Sequence, residues 1–114
     1  APLATEAVKG IVLSSIHNFA SSYETSNTLV NKLWKNITWS SSGNFLSIPT
    51  DCPQRNERLG WAGDISVFSR TATYLADVSQ FLRRYVQSMR DVQRSDGRFP
   101  DIAPLGGGFG GLLW

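Results

Sequence analysis

Between positions 78 and 92 an apolar residue recurs at every third or fourth step: Val78, Phe81, Leu82, Tyr85, Val86, Met89 and Val92. That spacing fits the 3.6-residue turn of an α-helix and does not fit a strand, whose faces alternate with period two. Arg83, Arg84, Gln87 and Arg90 fall between these positions, so the helix has one apolar and one polar face. The pattern predicts a helix over residues 78–94, with Asp77 capping its start. Ser95-Asp96-Gly97 ends it, because Gly97 can take a positive φ.

Two further helices follow from the same reasoning. Leu29, Leu33 and Ile37, with Val30 and Trp34 beside them, predict a helix over residues 26–41 with one apolar face. Ser26 or Asn27 can cap its start, since a short oxygen-bearing side chain accepts from free backbone N–H groups, and Gly43 supplies a stop. Residues 63–75 form the other, with Asp64 in its first turn and Val67, Phe68, Thr71, Ala72 and Leu75 as its buried stripe. Residues 7–13 are rich in β-branched side chains and predict a short strand. From Phe99 onward, prolines and glycines forbid a regular element until Leu112-Leu113-Trp114. The fold class is therefore mainly α. Three helices with wide apolar faces suggest a piece of a larger helical domain.

Composition removes several functional classes. With 41% hydrophobic and 18% charged residues in 114, the chain has enough apolar material to fold. A net charge of +2, with the arginines scattered from Arg55 to Arg98, provides no patch for nucleic acid and none for an anionic membrane. Cys52 is the single cysteine, which excludes an internal disulfide and a multi-cysteine zinc site. The acids have no histidine pattern beside them, so no metal is expected. No apolar run reaches the ~20 residues of a membrane span. Residues 1–6 have neither a basic start nor an apolar core, so no targeting segment is visible and the compartment stays open.

The chemistry is concentrated in residues 44–63, where two prolines and several apolar anchors predict a long but ordered loop. Three of the nine acidic residues, Asp51, Glu57 and Asp64, lie in or beside it, interleaved with Arg55, Arg58 and Trp61. Cleavage of a glycosidic bond needs one carboxylic acid to protonate the leaving oxygen and other groups to hold the sugar hydroxyls. Carboxylates accept from hydroxyls, and an indole face suits the C–H side of a sugar ring. On composition alone the same cluster also fits a purely structural network of ion pairs, with Trp61 in the core.

The run Asp51-Cys52-Pro53-Gln54-Arg55-Asn56-Glu57-Arg58-Leu59-Gly60-Trp61-Ala62-Gly63-Asp64 resembles the signature of glycoside hydrolase family 78, the α-L-rhamnosidases. The resemblance extends upstream through Glu24-Thr25-Ser26-Asn27, Leu33 and Gly43-Asn44-Phe45, and downstream through Asp96-Gly97 and Pro104. It implies part of an (α/α)6 barrel of the six-hairpin type over residues 23–114. Residues 1–22 would be a strand and linker from a β-rich neighbour. It also implies Glu57 as general acid, Asp51 and Asp64 as ligands of rhamnose hydroxyls, and Trp61 as a wall of the sugar pocket. Arg55, Asn56 and Trp114 are further candidates. Family members act by inversion without a cofactor, using a downstream glutamate as base. Glu57 is the last glutamate here, so the base is expected to be missing and the 114-residue chain inactive alone. The substrate would be a rhamnose-containing glycoside or polysaccharide, and the partner the rest of the catalytic domain. Asn56 stands where relatives often carry a charge, and Ala62 where threonine is common, which touches fine specificity.

A general acid must keep its proton near neutral pH, which burial or neighbouring carboxylates favour. Asp51 and Asp64 would help if they converge on one pocket. Asp64 near a helix N-terminus is well placed as an anion. Arg55 and Arg58 act in the opposite sense, so at least one of them is expected to point away from Glu57. The remaining signals carry less. Asn36-Ile37-Thr38 matches a glycosylation sequon but falls inside a helix, His17 is a lone histidine, and the glycine run after Leu105 lacks the Lys-Ser/Thr of a phosphate loop. Two other classes stay open: a sugar-binding protein without hydrolysis, and a helical interaction module with a structural acidic loop.

Overall fold

The computed structural model describes residues 4–109, and Trp114 lies outside them. Three helices dominate: α1 (Thr28–Asn44), α2 (Ala62–Leu75) and α3 (Ser79–Asp91). Four two-residue strands stitch them together: β1 (Phe45–Leu46), β2 (Ile48–Pro49), β3 (Gly60–Trp61) and β4 (Ile102–Ala103). β1 pairs antiparallel with β2 around Ser47, which sits at φ 66, and β3 pairs antiparallel with β4. Among the described residues no helix is long and apolar enough to cross a membrane.

Local chemistry accounts for the starts of α1 and α3. Asn27 Oδ1 accepts from the N–H groups of Leu29 and Val30 at 2.9 and 3.4 Å, which satisfies two of the four free donors at the start of α1. Asp77 Oδ1 does the same for Ser79, accepting from its N–H at 3.0 Å and its hydroxyl at 2.7 Å. These hydrogen bonds from Ser79, side chain first and backbone second, hold the Asp77 carboxyl below its ordinary range. α3 ends at Asp91 with Val92 as its cap, earlier than the expected stop at Ser95-Asp96-Gly97, although Gly97 does take φ 85 in the turn that follows.

The core gathers where the three helices meet the strands. Phe45 stacks on Phe81 with ring centroids 4.5 Å apart and meets Phe68 edge-on, while Ile65, Ala72, Val78, Tyr85, Met89 and Ala103 complete the cluster. Such aromatic pairs add directional preference to simple burial.

Several sequence expectations are corrected. Residues 7–13 form no strand: Ala7 closes a short 3-10 turn, Val8, Ile11, Val12 and Leu13 are exposed, and a strand needs a neighbouring edge that the described residues do not provide there. Gly43 does not stop α1, which continues to Asn44, and the backbone turns only at Phe45 and Ser47. Val67 and Thr71 face outward on α2, whereas Ala62, Gly63 and Ile65 are buried, so its inner stripe is rotated from the expected one. Val86 is exposed on α3. The tail also supplies a strand, β4, despite its prolines and glycines.

Candidate functional site

The acidic loop is closed at its base by one residue pair. The Asp51 N–H donates to the Leu59 carbonyl at 3.0 Å, and the Leu59 N–H donates back to Asp51 Oδ1 at 2.8 Å. Between them Arg58 adopts φ 51, a left-handed conformation that costs a residue with a Cβ on the order of 1 kcal/mol. That turn is held by Arg58 Nε, which donates to the Pro53 carbonyl at 3.1 Å.

This geometry folds Glu57 back toward the start of α2. Its Oε1 accepts from the indole Nε1 of Trp61 at 3.0 Å. Its Oε2 accepts from two nitrogens of Arg55, at 2.8 and 2.7 Å. The Glu57 side chain is 30% exposed, so it is walled but reachable. Among the described residues the ion pair on Glu57 comes from Arg55, while Arg58 Nε is bonded to the Pro53 carbonyl. Arg55, most of whose side chain is in solvent, has its pKa raised first by the hydrogen bond to Glu57.

Asp51 lies next to Glu57. Burial, the largest influence, works to raise its pKa, but the adjacent Glu57 carboxyl, the Cys52 thiol and backbone N–H groups together hold it below the ordinary range. Cys52 is pushed the other way, by burial first and then by its hydrogen bond to Asp51 and that residue's charge. A thiol raised in this way is a poor nucleophile. Ligand atoms of Asp51, Cys52 and Glu57 lie within 4.8 Å of one another, yet the guanidinium on Glu57 opposes a cation at that point.

Asp51 and Asp64 line the same cavity, about 250 Å³ in volume, with Asn44, Phe45 and Phe68 among its other walls. Asp64 is exposed in the first turn of α2, where free backbone N–H groups favour an anion. Neither Glu57 nor Trp61 is among the residues that line this cavity. The Trp61 ring stacks on Phe109 with centroids 5.9 Å apart, so one indole face is covered and its N–H is spent on Glu57. Asn56 is exposed at the loop tip.

Two contributors were not singled out as site residues in the sequence. Asp101 is 3% exposed; its carbonyl accepts from the Ala62 N–H at 2.8 Å, and its Oδ2 accepts from the Phe109 N–H at 2.6 Å. Gly108 packs so closely against this side chain that a Cβ there would collide with it. Gly106–Gly108, the described glycines of that run, thus form a packed turn beside Asp101. Tyr85 was legible only as part of an apolar stripe, although its hydroxyl donates to the Gly60 carbonyl at 2.8 Å.

Comparison with known proteins places these features in a family. The bacterial α-L-rhamnosidase six-hairpin glycosidase domain matches residues 18–114. An α-L-rhamnosidase of Streptomyces avermitilis is 48% identical over 106 residues, 93% of this chain and 10% of the relative. Another, from Formosa agariphila, is 45% identical over 97 residues, covering 85% of this chain and 10% of the relative. Among solved structures, the Streptomyces avermitilis α-L-rhamnosidase complexed with L-rhamnose superposes with a TM-score of 0.80 at 49% identity, over 86% of this chain and 9% of that one. The native Aspergillus terreus enzyme gives a TM-score of 0.67 at 47% identity, over 81% of this chain and 10% of that one. The chain spans about a tenth of the length of the relatives it matches.

Proposed function

The chain belongs to the bacterial α-L-rhamnosidase six-hairpin glycosidase family, and we propose that it carries the general acid and part of the sugar pocket of an inverting rhamnoside hydrolase. Residues 23–114 would contribute to the helical barrel, with residues 1–22 leading into it from a neighbouring domain. Three helices cannot close six helical hairpins, so the remaining walls come from the rest of the catalytic domain.

In this reading Glu57 protonates the glycosidic oxygen as the bond to the rhamnosyl carbon breaks. Asp51 and Asp64 accept hydrogen bonds from sugar hydroxyls, and Trp61 borders the ring. Water, the second substrate, is activated on the opposite face by a carboxylate outside this chain, about 6.5–9.5 Å from the acid as inversion requires. No cofactor takes part in such a displacement. Both oxygens of Glu57 already accept hydrogen bonds, so proton delivery requires Arg55 to leave Oε2 as the substrate arrives. Arg55 is exposed enough to move.

The single observation behind the proposal is the convergence on Asp51. It touches Glu57 on one side and shares a cavity with Asp64 on the other. The test is hydrolysis of a natural α-L-rhamnoside by the full-length protein. Glu57→Gln should lower kcat roughly 10²–10⁴-fold, and less on p-nitrophenyl α-L-rhamnoside, whose leaving group needs little protonation. Near-normal turnover of the natural substrate would falsify the role given to Glu57.

A further inference from the structure

The Tyr85 ring is 4% exposed, yet its hydroxyl crosses from α3 to donate to the Gly60 carbonyl at 2.8 Å. A phenol buried to this degree needs an acceptor, and the acceptor here is the peptide group that joins Gly60 to Trp61. Gly60 is clasped from other directions as well. A Cβ added there would collide with the Ala103 carbonyl, and would lie 3.2 Å from the Tyr85 ring and 3.3 Å from Ile48. Thus α3, β4 and β2 close together on one stretch of backbone. The next residue in the same strand is Trp61, whose indole N–H holds Glu57 Oε1 at 3.0 Å.

We propose that Tyr85 is a positioning residue for the general acid: its hydroxyl fixes the Gly60–Trp61 peptide plane, and through it the indole that orients Glu57. The inference rests on the assignment of Glu57 made above. Burial, and secondarily the charge of Asp64, pushes the Tyr85 phenol up to about 12, so it remains a donor at any pH used for assay. No contact with substrate is required of it. Misplacement of a catalytic group by about 1 Å can cost up to roughly 10²-fold, which makes such a support visible in the rate.

The test compares two substrates of the full-length protein, an alkyl rhamnoside that needs protonation and p-nitrophenyl α-L-rhamnoside that needs little. Tyr85→Phe keeps the ring and removes only the donor. On the alkyl substrate kcat should fall roughly 10- to 100-fold with KM nearly unchanged, and on the nitrophenyl substrate less than about 3-fold. Equal losses on both substrates, or no loss on either, overturn the proposal, since a general structural defect does not discriminate between leaving groups. Should Tyr85→Phe fail to fold, Tyr85→Met, which stays apolar in the core and likewise lacks the donor, must show the same selective loss. Glu57→Gln measured alongside keeps the two ideas separate. If it too lacks leaving-group selectivity, the acid assignment fails; if it is selective and Tyr85→Phe is not, only the positioning role fails.

Discussion

At the scale of single residues, Asp51 is the side chain on which the site turns. Its carboxylate closes the loop through the Leu59 N–H, faces Glu57, and borders the cavity shared with Asp64. Its folded pKa lies below the ordinary value of 3.8. A depressed carboxylate pKa stabilises the fold fully above the unfolded value, and that contribution is lost as pH falls through the folded one. Protection of the Leu59 amide from hydrogen exchange should therefore be flat from neutrality to about pH 5 and weaken below about pH 4. Asp51→Asn should lower the plateau and remove the acid-side slope. Parallel curves for the two proteins would show that the loop is closed by something else. The crowding of Asp51, Glu57 and Trp61 into one short run was legible in the sequence, but only the family resemblance set a sugar site above a structural network of ion pairs. Their mutual geometry was not legible. It depends on Arg58 taking a left-handed turn that few residues with a Cβ adopt, and on Tyr85, which sequence spacing presents as one more apolar position.

Among elements, the helices were legible and the strands were not, for one reason. A helix repeats its pattern over several turns, whereas a two-residue ladder such as Gly60–Trp61 with Ile102–Ala103 is too short to carry a period. The N-terminal stretch misled in the opposite sense: Val8, Ile11 and Val12 favour a strand, but propensity forms no ladder without a partner. The start of α1 was read correctly because its signal is local. Asn27 caps two N–H groups, and Asn31 exchanges hydrogen bonds with the Thr25 backbone at 2.8 Å in each direction. Asn27→Ala should cost about 1 kcal/mol in urea unfolding of the full-length protein, provided α1 unfolds with the rest, while Asn27→Ser should cost little. Equal losses for both would mean that the side-chain oxygen is not what holds the cap.

Across the whole molecule, the apolar pattern exceeds what the chain itself can bury. Leu29 is 75% exposed on α1 and Val67 77% exposed on α2, and Leu33, Trp39, Tyr74 and Val86 are also more than half exposed. The same periodicity that predicted the helices therefore overstated their contacts within this chain. Pattern reports which face is apolar, not what covers it. Exposed apolar patches of this kind drive association in water. The 114-residue chain prepared alone is expected to bind a hydrophobic dye and to elute at a mass that rises with concentration, although its net charge is +2. Replacing Leu29, Leu33 and Val67 with glutamate should suppress both effects without loss of helical circular dichroism, because none of the three is in the buried core. The same triple change in the full-length protein should lower its melting temperature and its activity together, since those faces would then be packed against the other hairpins. A monodisperse, dye-free chain at tens of micromolar would mean that these surfaces are adequately solvated without any partner. Unchanged stability of the full-length triple variant would mean that the helices do not use these faces in the barrel.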